Sequence, residues 1–169
     1  MNTKITKTAI SGIAGTTVMT LSSELMSLMG QNFSEPDHLS EMIARLAPFL
    51  SKRAKVIAGW GAHYAMGIVF AAVYVELWES RQIKHTIKNG ILLGAISGLL
   101  GLLVWRGTFK THPIPPSMDY QTFYLQRIPA HIIFAVSATI AYKLMKWQEA
   151  KKQPIALELP SCSANDKKI

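Results

Sequence analysis

Four residues in this chain could hold a proton, a metal ion or a haem iron in an apolar setting: Glu24, His63, His131 and His112. A neutral imidazole is a common metal ligand whose charge changes near neutral pH, and a carboxylate can complete a ligand set or pass a proton on. His63 stands within "AGWGAHYAMGIVF", residues 58–70, and His131 within "RIPAHIIFAVSA", residues 127–138. Gly59, His63, Gly67 and Ala71 recur every four residues, and His131, Ala135 and Ala138 repeat at the same helical spacing. Small residues on one helix face allow close helix contact, so both imidazoles are expected to point inward. Glu24 lies on a polar side of the first apolar stretch, with Thr16, Thr17, Thr20 and Ser27.

The elements that must carry these groups follow from where charge is missing. The 169 residues are 49% hydrophobic and only 17% charged, against the roughly 25% charge usual in soluble domains. Four mostly apolar stretches, about 8–30, 56–78, 87–109 and 122–146, are each close to the ~20 residues that a helix needs to cross hydrocarbon. No formally charged residue occurs from Val56 to Val75 or from Gly90 to Trp105. A soluble bundle would show a charged face on each helix, and none is present there. The expectation is an all-α, polytopic membrane protein: four antiparallel transmembrane helices forming one domain over residues 1–147. The mean hydropathy of only +0.19 averages these stretches with a charged connector and a polar tail, 148–169, expected to be disordered. Lys4 and Lys7 before the first stretch also fit a secretory signal, but no small-residue cleavage pattern follows, so a retained first span is expected.

Between the first two stretches, about residues 35–50, Ser34 is suited to cap a helix, Pro36 to its first turn and Asp37 to a capping-box position. Leu39, Met42, Ile43 and Leu46 then make one apolar stripe, expected on a short amphipathic helix that lies on the membrane surface or caps the bundle. Pro113, Pro115 and Pro116 keep the last connector extended. Trp60, Trp78, Trp105 and Trp147 fall near span ends, where indoles anchor at headgroup level. Glu76 is expected to meet water or a base such as Lys88, and His85 to be solvated.

Counting from the span ends at 1.5 Å per residue places Glu24, His63 and His131 on the order of 10 Å beneath one surface. His112 sits above them, and Tyr124 and Arg127 are expected at the rim. Three chemistries fit the cluster. It is a structural polar network, since each group alone would be costly in lipid; or a haem or divalent-metal site; or a path for protons or a small solute. No HxxxH or HxxE spacing surrounds His63 or His131, and no GxSxG nucleophile motif occurs, so enzymatic chemistry is not the leading expectation and no catalytic residue is assigned. The sole cysteine, Cys162, excludes a cysteine metal cluster within the chain.

Gly90, Gly94 and Gly98 form a GxxxGxxxG ridge, specific for close backbone packing either within the chain or between copies. With Gly59 and Gly67 they are the expected packing glycines. The ridge makes a self-associating module, or an accessory subunit of a larger membrane complex, the leading functional expectation. The net charge of +8 is bunched beside span ends, where anionic headgroups attract it, and no nucleic-acid motif accompanies it. Eleven Lys and Arg fall on the side of both termini against seven on the other, which favours cytoplasmic termini.

The segments "NGILLGAISGLLGLLVW" and "THPIPPSMDYQTFYLQRIPAH" resemble an uncharacterised family of small bacterial four-helix inner-membrane proteins. The likeness reaches to about Tyr142 and implies a bacterial inner-membrane location. It carries no catalytic residue and no cofactor across.

Overall fold

The computed structural model describes residues 3–28 and 30–152, and every regular element among them is helical. In chain order these are α1 (Thr3–Ser27), α2 (Glu35–Leu46), α3 (Lys52–Glu79), α4 (Ile87–Thr111) and α5 (Tyr120–Lys152). Gln148 to Lys152, expected in a disordered tail, continue α5 instead; the rest of that tail, with Cys162, lies outside the described residues.

Among the described residues three helices, α3, α4 and α5, are long and apolar enough to cross a membrane. This corrects the expected four. The 25 residues of α1 suffice in length, but Thr16, Thr17, Thr20, Ser22, Ser23 and Glu24 dilute its apolar content.

The helix starts follow local chemistry. Ser51 caps α3 by accepting from the Ala54 N–H at 3.2 Å, and Thr86 caps α4 through Asn89 at 3.3 Å. Ahead of α5 the Asp119 carboxylate accepts from the backbone of Gln121 at 3.0 Å and of Thr122 at 3.3 Å. Each cap satisfies N–H groups that a first helical turn leaves without partners. Pro129 lies inside α5 without ending it.

The fifth helix organises the rest: α5 packs along α1 on one side and along α4 on the other, whereas α3 leans chiefly on α1 and α2. The glycine ridge explains the tightest of these contacts. A Cβ on Gly94 would lie 2.5 Å from the Ile132 Cα, and one on Gly98 2.8 Å from the Ile128 Cα, so only glycine lets α4 meet the α5 backbone. Gly59 and Gly67 serve α3 similarly, against Ser40 of α2 and Thr16 of α1. The ridge is thus occupied by α5 of the same chain.

Two apolar clusters fill the interior. One joins Tyr74, Trp78, Phe134 and Tyr142, and the other Phe33, Trp105, Phe109 and Phe123. Trp78 and Trp105 are therefore core residues, 4% and 8% exposed, while Trp147 is 56% exposed. Glu76 pairs with Lys4 and not with Lys88.

Candidate functional site

The most buried charged side chain is Arg127, at 0% exposure in the first half of α5. A guanidinium stripped of water needs its N–H groups matched and its charge answered. Its Nη1 donates to the Glu35 carboxylate, and its Nη2 donates to the Gln126 side-chain oxygen and, at 3.3 Å, to the Phe33 carbonyl. Its Nε donates to the Phe123 carbonyl at 3.3 Å, and the cation sits 4.1 Å from the centre of the Phe123 ring. Gln126 is tied in turn to α1, donating to Ser23 Oγ at 3.2 Å.

Glu35 opens α2, a position where an acidic residue meets the positive end of the helix dipole. Its second oxygen lies 3.1 Å from Nδ1 of His63, and the other ring nitrogen of His63 lies 2.8 Å from Thr20 Oγ1. One carboxylate is thus shared by an arginine of α5 and a histidine of α3, and that histidine is braced by a threonine of α1. Four helices converge on a centre whose side chains are all at most 8% exposed at the charged groups.

With Glu35 ionised against Arg127, proton placement has two self-consistent forms. The Thr20 hydroxyl also lies 2.8 Å from the Thr16 carbonyl, and it has a single proton to give. If that proton goes to the carbonyl, Nε2 of His63 must donate to the hydroxyl while Nδ1 donates to Glu35, and the ring is an imidazolium. If it turns to Nε2, the ring is neutral with its proton on Nδ1. The Glu35 and Arg127 charges cancel, so the centre is neutral in the second form and gains one positive charge in the first. A proton gained or lost by His63 therefore turns the Thr20 hydroxyl.

The expected residues separate into three groups. His63 and His131 do come to one place, lining a small cavity of about 30 Å³ with Glu35, Met19 and Phe70. His131 Nδ1 donates to the Arg127 carbonyl at 2.9 Å, and its ring lies against Gly101, whose Cβ would fall 2.8 Å from His131 Nε2. Glu24 is exposed and does not join them. Thr16, Thr20 and Ser23 take the inward face of α1, and the carboxylate at His63 is that of Glu35. His112 also stands apart: it accepts from the Ile114 N–H at 3.2 Å and donates to the Met42 carbonyl at 3.2 Å, which pins α2 to the last connector. Arg127 moves from rim to centre, while Tyr124 stays half-buried beside Phe109 and Tyr120.

Glu35 was missed because α2 was expected to bury an apolar stripe. Met42 of that stripe is buried and Leu39 packs on the same cluster, but Leu46 is exposed and the helix also buries Glu35, Pro36 and His38. The available signal was an acid directly before Pro36 in the first turn, three residues ahead of His38. Arg45, donating to the Ile114 and Pro115 carbonyls at 2.9 Å and 2.5 Å, holds the far end of α2 on the proline connector.

A second cavity, about 170 Å³, reaches Glu35 and His63 from between α3 and α4, past Ala62, Met66, Val104 and Trp105. As for a metal, no group of three His, Cys, Asp or Glu side chains among the described residues is placed to hold one. The guanidinium on Glu35 adds a chemical reason, since it occupies the carboxylate a cation would need. No family model, curated protein or solved structure matches the chain.

Proposed function

We propose that this chain is a multi-pass protein of a bacterial inner membrane, and that Glu35, His63 and Arg127 form a proton-responsive centre for the binding or passage of a small solute. The membrane reading is supported by the three apolar helices and by large aliphatic side chains left outside them, such as Val69 and Val73 on α3 and Leu99 and Leu103 on α4. In water so much exposed apolar surface would drive association, whereas in lipid it is solvated. The lysine-rich end, with Lys4, Lys7 and Lys143, is the end that would face the cytoplasm.

The observation that carries the proton reading is the double hydrogen bonding of His63, between the Thr20 hydroxyl and a carboxylate shared with Arg127, at the floor of the cavity between α3 and α4. Ionisable groups at depth in a membrane protein mark proton and solute paths. Here a proton changes both the charge of the centre and the direction of the Thr20 hydroxyl bonded to His63. The self-association suggested by the glycine ridge loses its motive once α5 occupies that ridge.

The test is proton movement in liposomes loaded with a pH-sensitive dye, with candidate solutes added outside. Wild-type protein is expected to dissipate an imposed pH gradient, and His63→Gln and Glu35→Gln to slow that dissipation by at least about tenfold, the loss typical of removing a positioned acid–base group. His63→Gln should retain wild-type helicity by circular dichroism, and Glu35→Gln, which leaves the buried Arg127 charge unanswered, is compared below its own unfolding temperature. A flux equal in wild type and both variants would overturn the reading.

A further inference from the structure

The far end of the molecule carries a second site with different chemistry. There the end of α3, the connector to α4 and the later half of α5 enclose a cavity of about 460 Å³, within the range of small-molecule sites. Its lining includes Trp78, Arg81, Lys84, His85, Tyr142 and Lys146.

The inner wall is aromatic. The Trp78 and Tyr142 rings lie 4.8 Å apart, and His85 meets Tyr142 edge-on at 5.4 Å. The mouth is cationic. Arg81 and Lys84 are exposed, and their side-chain nitrogens make no hydrogen bond or ion pair among the described residues. Among the described residues Lys146 reaches Glu149 alone, at 3.8 Å. The acid in the wall, Glu79, is already engaged, accepting from Lys7 at 3.1 Å and from the Tyr142 hydroxyl at 2.8 Å. The cavity therefore has an unanswered positive charge.

The second, independent observation is Trp78. It is 4% exposed, and its indole N–H is buried without a hydrogen-bond partner among the described residues. A buried donor left unpaired is costly and uncommon, and an indole nitrogen can only donate. The Trp78 ring lines the cavity, so a group seated against its indole edge with an acceptor oxygen completes the donor, and the exposed cations favour an anionic one.

We infer that this cavity is a binding site for a phosphoryl group, with Arg81, Lys84 and Lys146 answering its charge and the Trp78 N–H taking one oxygen. Several acceptor oxygens on one centre match a ring of separate donors, and arginine suits that geometry. Two sources supply such a group at this depth: the headgroup of an anionic phospholipid, or a free phosphate or phosphomonoester. The site is separate from Glu35 and shares no residue with it.

The experiment is the thermal unfolding of the full chain in mild detergent, titrated with short-chain phosphatidylglycerol, with short-chain phosphatidylcholine, with inorganic phosphate, and with sodium chloride at matched ionic strength. A saturable rise with phosphatidylglycerol alone assigns the headgroup, and a saturable rise with inorganic phosphate assigns the free anion. In either case the doubly substituted Arg81→Gln, Lys84→Gln chain should bind at least about tenfold more weakly, and Trp78→Phe, which keeps the ring and removes the N–H, about fivefold more weakly. Both cations are exposed, so the double variant should fold as wild type does. The inference is overturned if neither phosphate source gives a saturable rise, if sodium chloride reproduces it, or if the double variant binds as tightly as wild type.

Discussion

At one end of the molecule His63 and Arg127 are buried and share the Glu35 carboxylate; at the other, Arg81 and Lys84 stand exposed around a cavity whose lining acid, Glu79, is already taken. Both ends bring cations next to aromatic rings, with Arg127 over Phe123 and the open cavity walled by Trp78 and Tyr142. They differ in where the balancing negative charge comes from. In the first it is part of the chain, delivered by a short helix that dips inward. In the second it is left to whatever binds. A charge answered internally is a matter of folding, and one answered from outside is a matter of ligand.

Substitutions should separate the two. The largest effect is expected from Arg127→Ala, which strands the buried Glu35 carboxylate and should cost about 3–5 kcal/mol, read as a lower unfolding temperature. Combining Arg127→Met with Glu35→Gln should recover most of that loss, because no uncompensated charge remains. If the single and double variants unfold alike, the ion pair is not what holds that end. Next comes Gly94→Leu, which forces side-chain atoms into the 2.5 Å left at Ile132 and should cost about 1–3 kcal/mol or more. Gly107→Ala, where nothing lies within 4 Å, should cost almost nothing by the same measurement.

A smaller effect is expected from Tyr74→Phe, which removes the 2.6 Å bond to Ser97 that ties α3 to α4 and should cost about 1 kcal/mol. The open end should barely respond in stability: Arg81→Gln with Lys84→Gln is expected within about 0.5 kcal/mol of wild type. A loss comparable to that of Arg127→Ala would mean that these cations are structural, and the contrast between the ends would fail. The smallest effect concerns Asp119, whose bonds with the Thr122 side chain and backbone hold its carboxyl below the usual 3.8. A lowered folded value means that its contribution is complete above the ordinary aspartate range and fades as pH falls through the folded value. The difference in unfolding temperature between wild type and Asp119→Ala should therefore be constant near neutral pH and shrink in acid below it.

Much of this arrangement could be seen in the residue order. Four long helices and a short one follow from the mostly apolar stretches and the connector between the first two, and small neighbours correctly turn His63 and His131 inward. Spacing along a helix gives depth, and it gives which residues share a face; it does not give which face meets which partner helix. That is why Glu24, at a suitable depth, proved to be exposed while Glu35 holds the position. The same gap misplaced Arg127. An arginine that far from the helix start is expected to stay near water unless a carboxylate meets it, and the one that does is 92 residues away. The glycine ridge was legible as a contact surface, but a contact within the chain and one between copies leave the same pattern.

The dependence of α4 on α5 bears on how the protein is made. Synthesis runs from the amino end, so α1, α2 and α3 emerge with partners already available among themselves. The glycine face of α4 emerges with none, because the helix it fits comes next. Until Ile128 and Ile132 arrive, that bare strip of backbone lacks the surface it fits. It is then α5 that locks α4 in place, and a chain cut short before Tyr120 would leave α4 with its closest-fitting surface unmatched.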